Sequence, residues 1–592
     1  MAVLVAVWAV VILLSGGISI RAGARAIASR DPVRPLIAAL ACAAVATVML
    51  GFTESRRLAR RIAGDRQSVP ARAAIVASLC VVVVSIAWNT RAVGGSDSSC
   101  YVLQAEAFAQ GRVTLDPPLA DLPPGLTPVA LAPIGFVPSA APPHRAVPIC
   151  APGLALVMVP AFLVARDAVF LVVPLFAALA VWCTFLLGRA LGDDVAGAWA
   201  AVLLACSPIF LYQAVQPMSD VPAAALWLAA LVALRPPAGD RAANGGALRE
   251  CVAGFCASMA VLMRPNLVLI VLPLFSLLPV TPRSPRLASW VRFGAAALPA
   301  AVAMATLNGL RYGSPLASGY GDTEVLFSIA HVAPNLARYP RWLIETHTPL
   351  IVLAAIAPLL SWPGRSRQFV FSATAAVVLT IATYLAYTVF DDWWYIRFLL
   401  PAVPILLVFS IIVVRRAIAW GLRSRPSIAR QAILAAAMVA VGAWFVHTAR
   451  VRSVFDLARL ESRFRATGAY AARALPVNAI VVAVQQSGAI RYYGARGAVM
   501  WDAVPENDLD RVLAWLRERG YAPLIAVEDG EDAVFRARFR SQMSGRLDWP
   551  ALAEVHGPVR VRIFDPGVRE AFLTGARVET EHVWPDRRRG RD

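Results

Sequence analysis

Two acids and two arginines stand out because each sits at the end of a long apolar run. Asp97 lies in "GGSDSSCYVLQAEAFAQGRVTLDPPL" (residues 94–119), Asp220 in "QPMSDVP", Arg264 in "MRPN" and Arg397 in "DDWWYIRFLLP". A carboxylate at a membrane face can take a proton from a hydroxyl, and a fixed guanidinium can hold an anion. Each has a plainer alternative. Asp97 could cap the free N–H groups of the amphipathic helix "YVLQAEAFAQG", and Pro222 at an early helical position strengthens the same alternative for Asp220. Arg264 could snorkel to the outer surface. Trp393, Trp394 and Tyr395 beside Arg397 could form an interfacial aromatic belt. Glu106 reads as a solvated helix-face residue and Asp116 in "LDPP" as a turn former.

The elements that position these residues follow from composition. The chain has 592 residues, 58% of them hydrophobic, with a mean hydropathy of +0.63, well above the apolar share of soluble domains. It reads as a polytopic α-helical membrane protein. The formal charge of +19 comes entirely from arginine, since no lysine occurs. The arginines cluster in short loops between apolar runs, where they orient helices, so the charge describes topology and no nucleic-acid partner is expected.

Runs of about 18 to 20 apolar residues cross the hydrocarbon core. The candidates are 2–20, 35–52, 73–89, 168–187, 195–211, 217–234, 249–263, 266–280, 291–308, 348–362, 368–388, 397–414 and 430–447, about 13 transmembrane helices in all. Five arginines between 56 and 66 precede the third run, and five between 415 and 430 precede the last. Both loops should be cytoplasmic. Alternation then places 90–167, 212–216, 309–347, 389–396 and everything after about 450 outside. Arg21, Arg25, Arg30 and Arg34 resist this scheme, so the topology of residues 1–72 stays open. The run 149–165 would break the alternation if it crossed, and is assigned as a juxtamembrane helix.

These features resemble a family. An Asp opening the first large outer loop, the helix "YVLQAEAFAQGR", "LDPPL" and the Pro-Gly helix "CAPGLALVMVP" are followed by "SPIFLYQAVQPMSDVPAAALWL", "LMRPNLVL", "NLARYPRWLIETHTPL" and "WWYIRFLLPAVP". In that order they resemble the GT-C superfamily of membrane glycosyltransferases, of the protein O-mannosyltransferase and aminoarabinose-transferase kind, which use polyprenyl-phosphate sugars. The resemblance covers roughly residues 73–450. It implies transfer of a sugar to a glycan, lipid or protein acceptor at the outer face of the plasma membrane, with inversion at the anomeric carbon.

It also implies roles. A polyprenyl-phosphate sugar is already activated, so the enzyme must deprotonate an acceptor hydroxyl, hold the phosphate as charge develops and exclude water. Asp97 matches the catalytic acid of the first loop, and Asp220 a second acid that orients the acceptor or a metal. Arg264 and Arg397 match phosphate-binding positions. Trp394 or Tyr395 would stack on the sugar. His144 and Arg145, at the approach to the juxtamembrane helix, are further phosphate candidates ranked below Arg264. A divalent cation bridging Asp97 and Asp220 is an open alternative, because some superfamily members use one. Two acids without a further clear ligand do not assign a metal, and no His/Cys cluster has zinc-like spacing.

Of the eight cysteines, only Cys100 and Cys150 fall in an outer segment, and an oxidising exterior permits a disulfide between them. Residues 451–592 change composition. Strands at "AIVVAV", "APLIAVE" and around "LAEVHGPVRVRIFD" alternate with helices, which predicts a small α/β domain outside the membrane, ending in a basic tail, "PDRRRGRD", expected to be disordered. The domains are thus 1–72, 73–450 and 451–592. A transporter or flippase would show paired repeats and midplane charges, and none are evident. A noncatalytic envelope scaffold is the other alternative, and it should tolerate Asp97→Asn.

Overall fold

The computed structural model describes residues 69–585 apart from 143, 236–245, 279–285 and 322, together with a hairpin of β1 (Ile18–Ala22) and β2 (Arg25–Ser29) paired antiparallel. The runs 2–20 and 35–52, apart from the few residues of β1, and the tail beyond Pro585 lie outside the described residues.

In chain order the helices that build the membrane body begin with α1 (Val69–Ala87), α2 (Gly95–Ala109), α3 (Gly153–Val164), α4 (Val172–Leu191), α5 (Asp194–Cys206), α6 (Pro208–Ala214) and α7 (Asp220–Ala233). They continue with α8 (Gly246–Met263), α9 (Val268–Leu277), α10 (Arg286–Tyr312), α11 (Val332–His347), α12 (Gly364–Leu385), α13 (Val403–Gly421) and α14 (Ser427–Val451). Seven helices among the described residues are long and apolar enough to cross a membrane, or nine if two bent pairs each count as one span. The chain is a multi-pass membrane protein.

Every predicted run from residue 73 onward falls on a helix, but thirteen full spans are more than the described residues contain. Proline is the reason in three places. Pro208 opens α6 and bends it 61° from α5, because the residue before a proline is driven out of helical geometry. Pro349 does the same after Thr348, whose φ is +61°, and the chain turns by 105°. Pro217 delays α7 until Asp220, leaving only 14 helical residues of the run 217–234. The run 149–165 becomes α3, 12 residues, too short to cross.

Small residues let the helices approach closely. A Cβ on Gly197 of α5 would lie 2.4 Å from the Phe185 carbonyl of α4, and one on Gly254 of α8 would lie 2.2 Å from the Phe293 carbonyl of α10. Beside that second contact, Glu250 is buried and satisfied by Ser289 at 3.0 Å and Arg292 at 2.5 Å.

The first large loop carries α2 and a two-stranded ribbon of β3 (Phe136–Pro138) and β4 (Ala146–Pro148). Cys100 and Cys150 are bonded, with Cα atoms 6.2 Å apart, which fastens α2 to the segment entering α3. Closing a loop of this length stabilises a fold by roughly 2–4 kcal/mol.

Beyond α14, α15 (Ser462–Ala474), α16 (Ser487–Tyr492), α17 (Leu509–Glu518) and α18 (Asp529–Arg538) surround a mixed sheet. Its strands are β5 (Ala479–Val482), β6 (Gly497–Val499), β7 (Ala522–Glu528), β8 (Ala553–Val555), β9 (Val561–Phe564) and β10 (Glu581–Val583), in the order β10-β8-β9-β7-β5-β6. The predicted strands are β5, β7, β8 and β9. The runs for β6 and β10 are three residues each and too short to show a period.

This domain rests on the first loop. Leu119, Leu126, Ala130 and Leu131 share one apolar core with Ile480, Val499, Leu513 and Phe564. Met500 N donates to the Ala130 carbonyl (2.8 Å), Ile134 N to Ser487 Oγ (3.0 Å), and Tyr493 Oη to the Arg91 carbonyl (2.6 Å). The loop and the C-terminal domain therefore lie on the same side of the membrane.

The glycine pair that opens α2 belongs to the same junction. A Cβ on Gly94 would sit 2.1 Å from the Phe464 ring of α15, while Gly95 has a φ of +62°. Gly94→Ala should overpack this contact and cost about 1–3 kcal/mol. Thermal unfolding in detergent reads the loss, and Phe464→Ala combined with it should recover part of the stability.

Candidate active site

Asp97 sits in the first turn of α2, two residues past Gly95. It is not the N-cap. Gly94 holds that position with no side-chain capping bond, and Asp97 Oδ2 instead accepts from Arg397 Nη2 at 2.9 Å. Asp220 likewise begins α7 behind Ser219, without a capping bond, and its Oδ1 pairs with Arg264 Nη1. The capping alternative fails for both acids, because each carboxylate is turned toward an arginine 44 or 300 residues away in sequence.

The two ion pairs converge on one ring. The Arg264 guanidinium carbon is 5.1 Å from the Phe398 ring centre and that of Arg397 is 5.2 Å from it, both within cation–π range. The two acid-bearing turns are also joined. Tyr101 Oη and Ser219 Oγ are hydrogen-bonded at 2.7 Å, and Ser98 Oγ lies 4.0 Å from Met218 Sδ. Burial holds the Tyr101 phenol above its ordinary pKa and the charge of Asp97 raises it further, while Arg264, the Ser219 bond and Arg397 act against both. Tyr101 thus stays a neutral hydroxyl near pH 7, within the field of three of the four charged residues.

Exposure separates the two acids. The Asp97 side chain is 31% exposed and that of Asp220 2%. Only Asp97 can meet an incoming hydroxyl without rearrangement.

Local sequence explains how each arginine is presented. Arg264 ends α8 because Pro265 follows, and it heads the turn into α9. Gly153 lets the start of α3 press on this turn, since a Cβ there would lie 2.6 Å from the backbone of Leu262 and Met263. Arg397 lies on a 3₁₀ turn, Trp393–Leu399, ahead of α13 rather than in the predicted span 397–414. The motif "NLARYPRWLIETH" in α11 braces the segment that leads into that turn. Asn335 Nδ2 donates to the Tyr387 carbonyl (2.7 Å) and the Leu385 carbonyl (3.1 Å), and Arg338 binds the Phe390 carbonyl (2.7 Å) and Asp391 Oδ1 (2.6 Å).

Aromatic rings wall the site. Tyr395 is 5.4 Å from the Arg397 guanidinium and stacks on Phe390 at 3.8 Å, and Tyr384 stacks on Phe398 at 5.0 Å. Trp394 is stacked on Tyr212 of α6 at 5.9 Å, with Trp393 edge-on to the same ring. These contacts go beyond what a simple interfacial belt requires.

Arg145 is placed differently. Its Nε lies 3.5 Å from Asp116 Oδ1, with both side chains about half exposed, and Arg112 also pairs with Asp116 at 2.5 Å. No described contact joins Arg145 to the quartet, because the adjacent β4 points it toward the "LDPP" turn. His144 Nδ1 is bonded to the Ser139 carbonyl, 3.1 Å away. Glu106 is not simply solvated. It pairs with Arg166 at 2.9 Å, whose guanidinium covers Tyr492 of the C-terminal domain.

Sequence reasoning did not single out Ser219, Phe398, Tyr384 or Tyr212 for the site. The pattern that could have found Phe398 is its place one residue after Arg397. A divalent ion between Asp97 and Asp220 would compete with the arginine already balancing each acid, and among the described residues no group of three His, Cys, Asp or Glu ligands forms there.

No protein-family model and no curated protein matches the chain. Solved structures do. The apo oligosaccharyltransferase of Archaeoglobus fulgidus superimposes with a TM-score of 0.51 at 12% identity, over 80% of this chain and 71% of that one. Apo ArnT of Cupriavidus metallidurans gives 0.52 at 13% identity, over 83% and 97%. At that identity the likeness is one of fold alone: this chain shares the fold of these two solved transferases.

Proposed function

We propose that this chain is an inverting membrane glycosyltransferase that moves a sugar from a polyprenyl-phosphate donor to an acceptor hydroxyl at the outer face of the plasma membrane. The observation that carries this reading is the quartet Asp97, Arg397, Asp220 and Arg264 gathered around Phe398.

In this reading the partly exposed Asp97 carboxylate takes the acceptor proton as the acceptor oxygen bonds to the anomeric carbon. The bond from that carbon to the phosphate oxygen breaks with its electron pair on the phosphate. Direct attack inverts the anomeric centre. Arg264 and Arg397 hold the charge that develops on the leaving phosphate, and the ring of Phe398 keeps both guanidinium groups on one platform. Asp220, buried, fixes Arg264 rather than meeting the acceptor. Tyr395 and Trp394 offer ring faces for the sugar, and Arg145 lies further out for the donor or acceptor chain. The outer placement rests on the arginine-rich loops assigned to the cytoplasm and on the shared side of the first loop and C-terminal domain.

The test is transfer of radiolabelled sugar from a panel of polyprenyl-phosphate donors, in membranes that contain or lack the chain, with envelope extract as acceptor source. Label in product only when the chain is present supports the proposal. Background labelling from every donor, with a known transferase active in the same membranes, would favour a scaffold or transporter instead.

A further inference from the structure

The chemistry so far lies at the membrane face, yet a second group of ligand-type side chains meets on the far edge of the C-terminal sheet. β10 pairs parallel with β8, placing His582 opposite Glu554. His556 follows Glu554 by two residues, one past the end of β8, and its backbone N–H donates to the Val583 carbonyl at 2.8 Å. His556 Nε2 lies 2.8 Å from His582 Nδ1, and Glu554 Oε2 is 3.8 and 3.9 Å from these two nitrogens. This is the one such group of three among the described residues.

We propose that Glu554, His556 and His582 bind a divalent transition-metal ion, zinc by ligand type, which fastens the C-terminal strand to the sheet. The nearest point equidistant from the three ligand atoms lies about 2.1 Å from each and in their plane, so the exposed His582 ring must swing away from His556 for an ion at the usual zinc–nitrogen and zinc–oxygen distance to become tetrahedral. In the metal-free chain the two imidazole nitrogens share one proton in their hydrogen bond, and as the ion binds, the ring that carries this proton takes it up on its other nitrogen, leaving both facing lone pairs free to ligate. Its remaining coordination position faces solvent, where His582 is more than half exposed, and takes water.

The surroundings fit a structural role. Trp584 stacks on His556 at 4.2 Å and holds that ring in place, while Arg560 Nη1, 3.5 Å from Glu554 Oε2, is an exposed and long contact that the ion displaces. β10 is a three-residue edge strand joined to its neighbour by few backbone bonds. An ion with ligands on both strands supplies the cross-link that so short a strand lacks.

The test uses the full-length chain in detergent. Calorimetric titration with zinc should show a site that is lost in both His556→Ala and His582→Ala and kept in Asp97→Asn, and cobalt in its place should give the visible absorption of a low-coordinate nitrogen and oxygen site. Trypsin at the exposed Arg577, in the segment leading into β10, gives a second readout. Zinc at ten times its dissociation constant should slow that cleavage about tenfold in the wild type, because binding depletes the open state in that proportion, and should not slow it in His582→Ala. His582 is exposed and its strand pairing is made by backbone, so this variant keeps the fold. Zinc uptake unchanged by both histidine substitutions, or a cleavage rate indifferent to zinc, would overturn the proposal.

Discussion

Asp97→Asn is expected to lower sugar transfer by about 10²–10⁴-fold, the usual contribution of a positioned general base. The chain should still insert and fold. Asparagine has the size of aspartate and still offers Arg397 an acceptor oxygen, so the contact at 2.9 Å survives as a hydrogen bond from the charged guanidinium to a neutral amide oxygen. Asp97→Glu should restore part of the rate, because the carboxylate returns about one bond length out of place. The measurement is labelled product formed per unit of inserted protein, with insertion checked by protease protection of the C-terminal domain. Transfer by the asparagine variant at the wild-type rate would reduce Asp97 to a partner that merely holds Arg397.

The second large effect concerns Asp220 and Arg264. Their pair is enclosed, with Asp220 2% and Arg264 15% exposed. Removing one partner of a buried pair strands the other charge, at a cost of about 3–5 kcal/mol. Arg264→Met and Asp220→Leu should therefore each lower thermal stability in detergent sharply. The double variant should recover most of it, since an apolar pair of similar volume is often as stable as the ionic one. Transfer should stay depressed in the double variant, by about 10²–10³-fold as for loss of a charge-stabilising donor. Recovery of both stability and transfer would make the pair purely architectural.

The two effects differ in how visible their causes are in sequence. Asp97, Asp220, Arg264 and Arg397 announce themselves because polar residues at the ends of apolar runs are costly, and the helices around them follow from run length. Their pairing does not. Arg397 meets an acid 300 residues away, and no local pattern encodes which arginine takes which carboxylate. Arg145 shows the converse, a cation in the expected loop whose partner is Asp116. Span counting fails where Pro208 turns the run 195–211 into two short helices, since hydropathy averages over the break, and where the run 348–362 yields only the short helix that follows a 105° bend at Pro349. In the C-terminal domain, His556 and His582 are 26 residues apart and look unrelated until a parallel ladder sets them side by side.

The core shared by the first loop and the C-terminal domain also orders events during synthesis. Leu119, Leu126, Ala130 and Leu131 leave the ribosome early, yet their apolar partners begin only near Ile480. At about 5–20 residues per second, the intervening stretch takes on the order of 20–70 s to make. For that interval the helix bearing Asp97 has only part of its final surroundings, while the leucines beside it wait uncovered. The site reaches its final shape only after the last domain has been made and docked. A nascent chain stalled before residue 480 would then be a membrane-inserted protein with all four charged residues made and no finished enclosure around them, and its uncovered loop would be a natural target for chaperones and proteases.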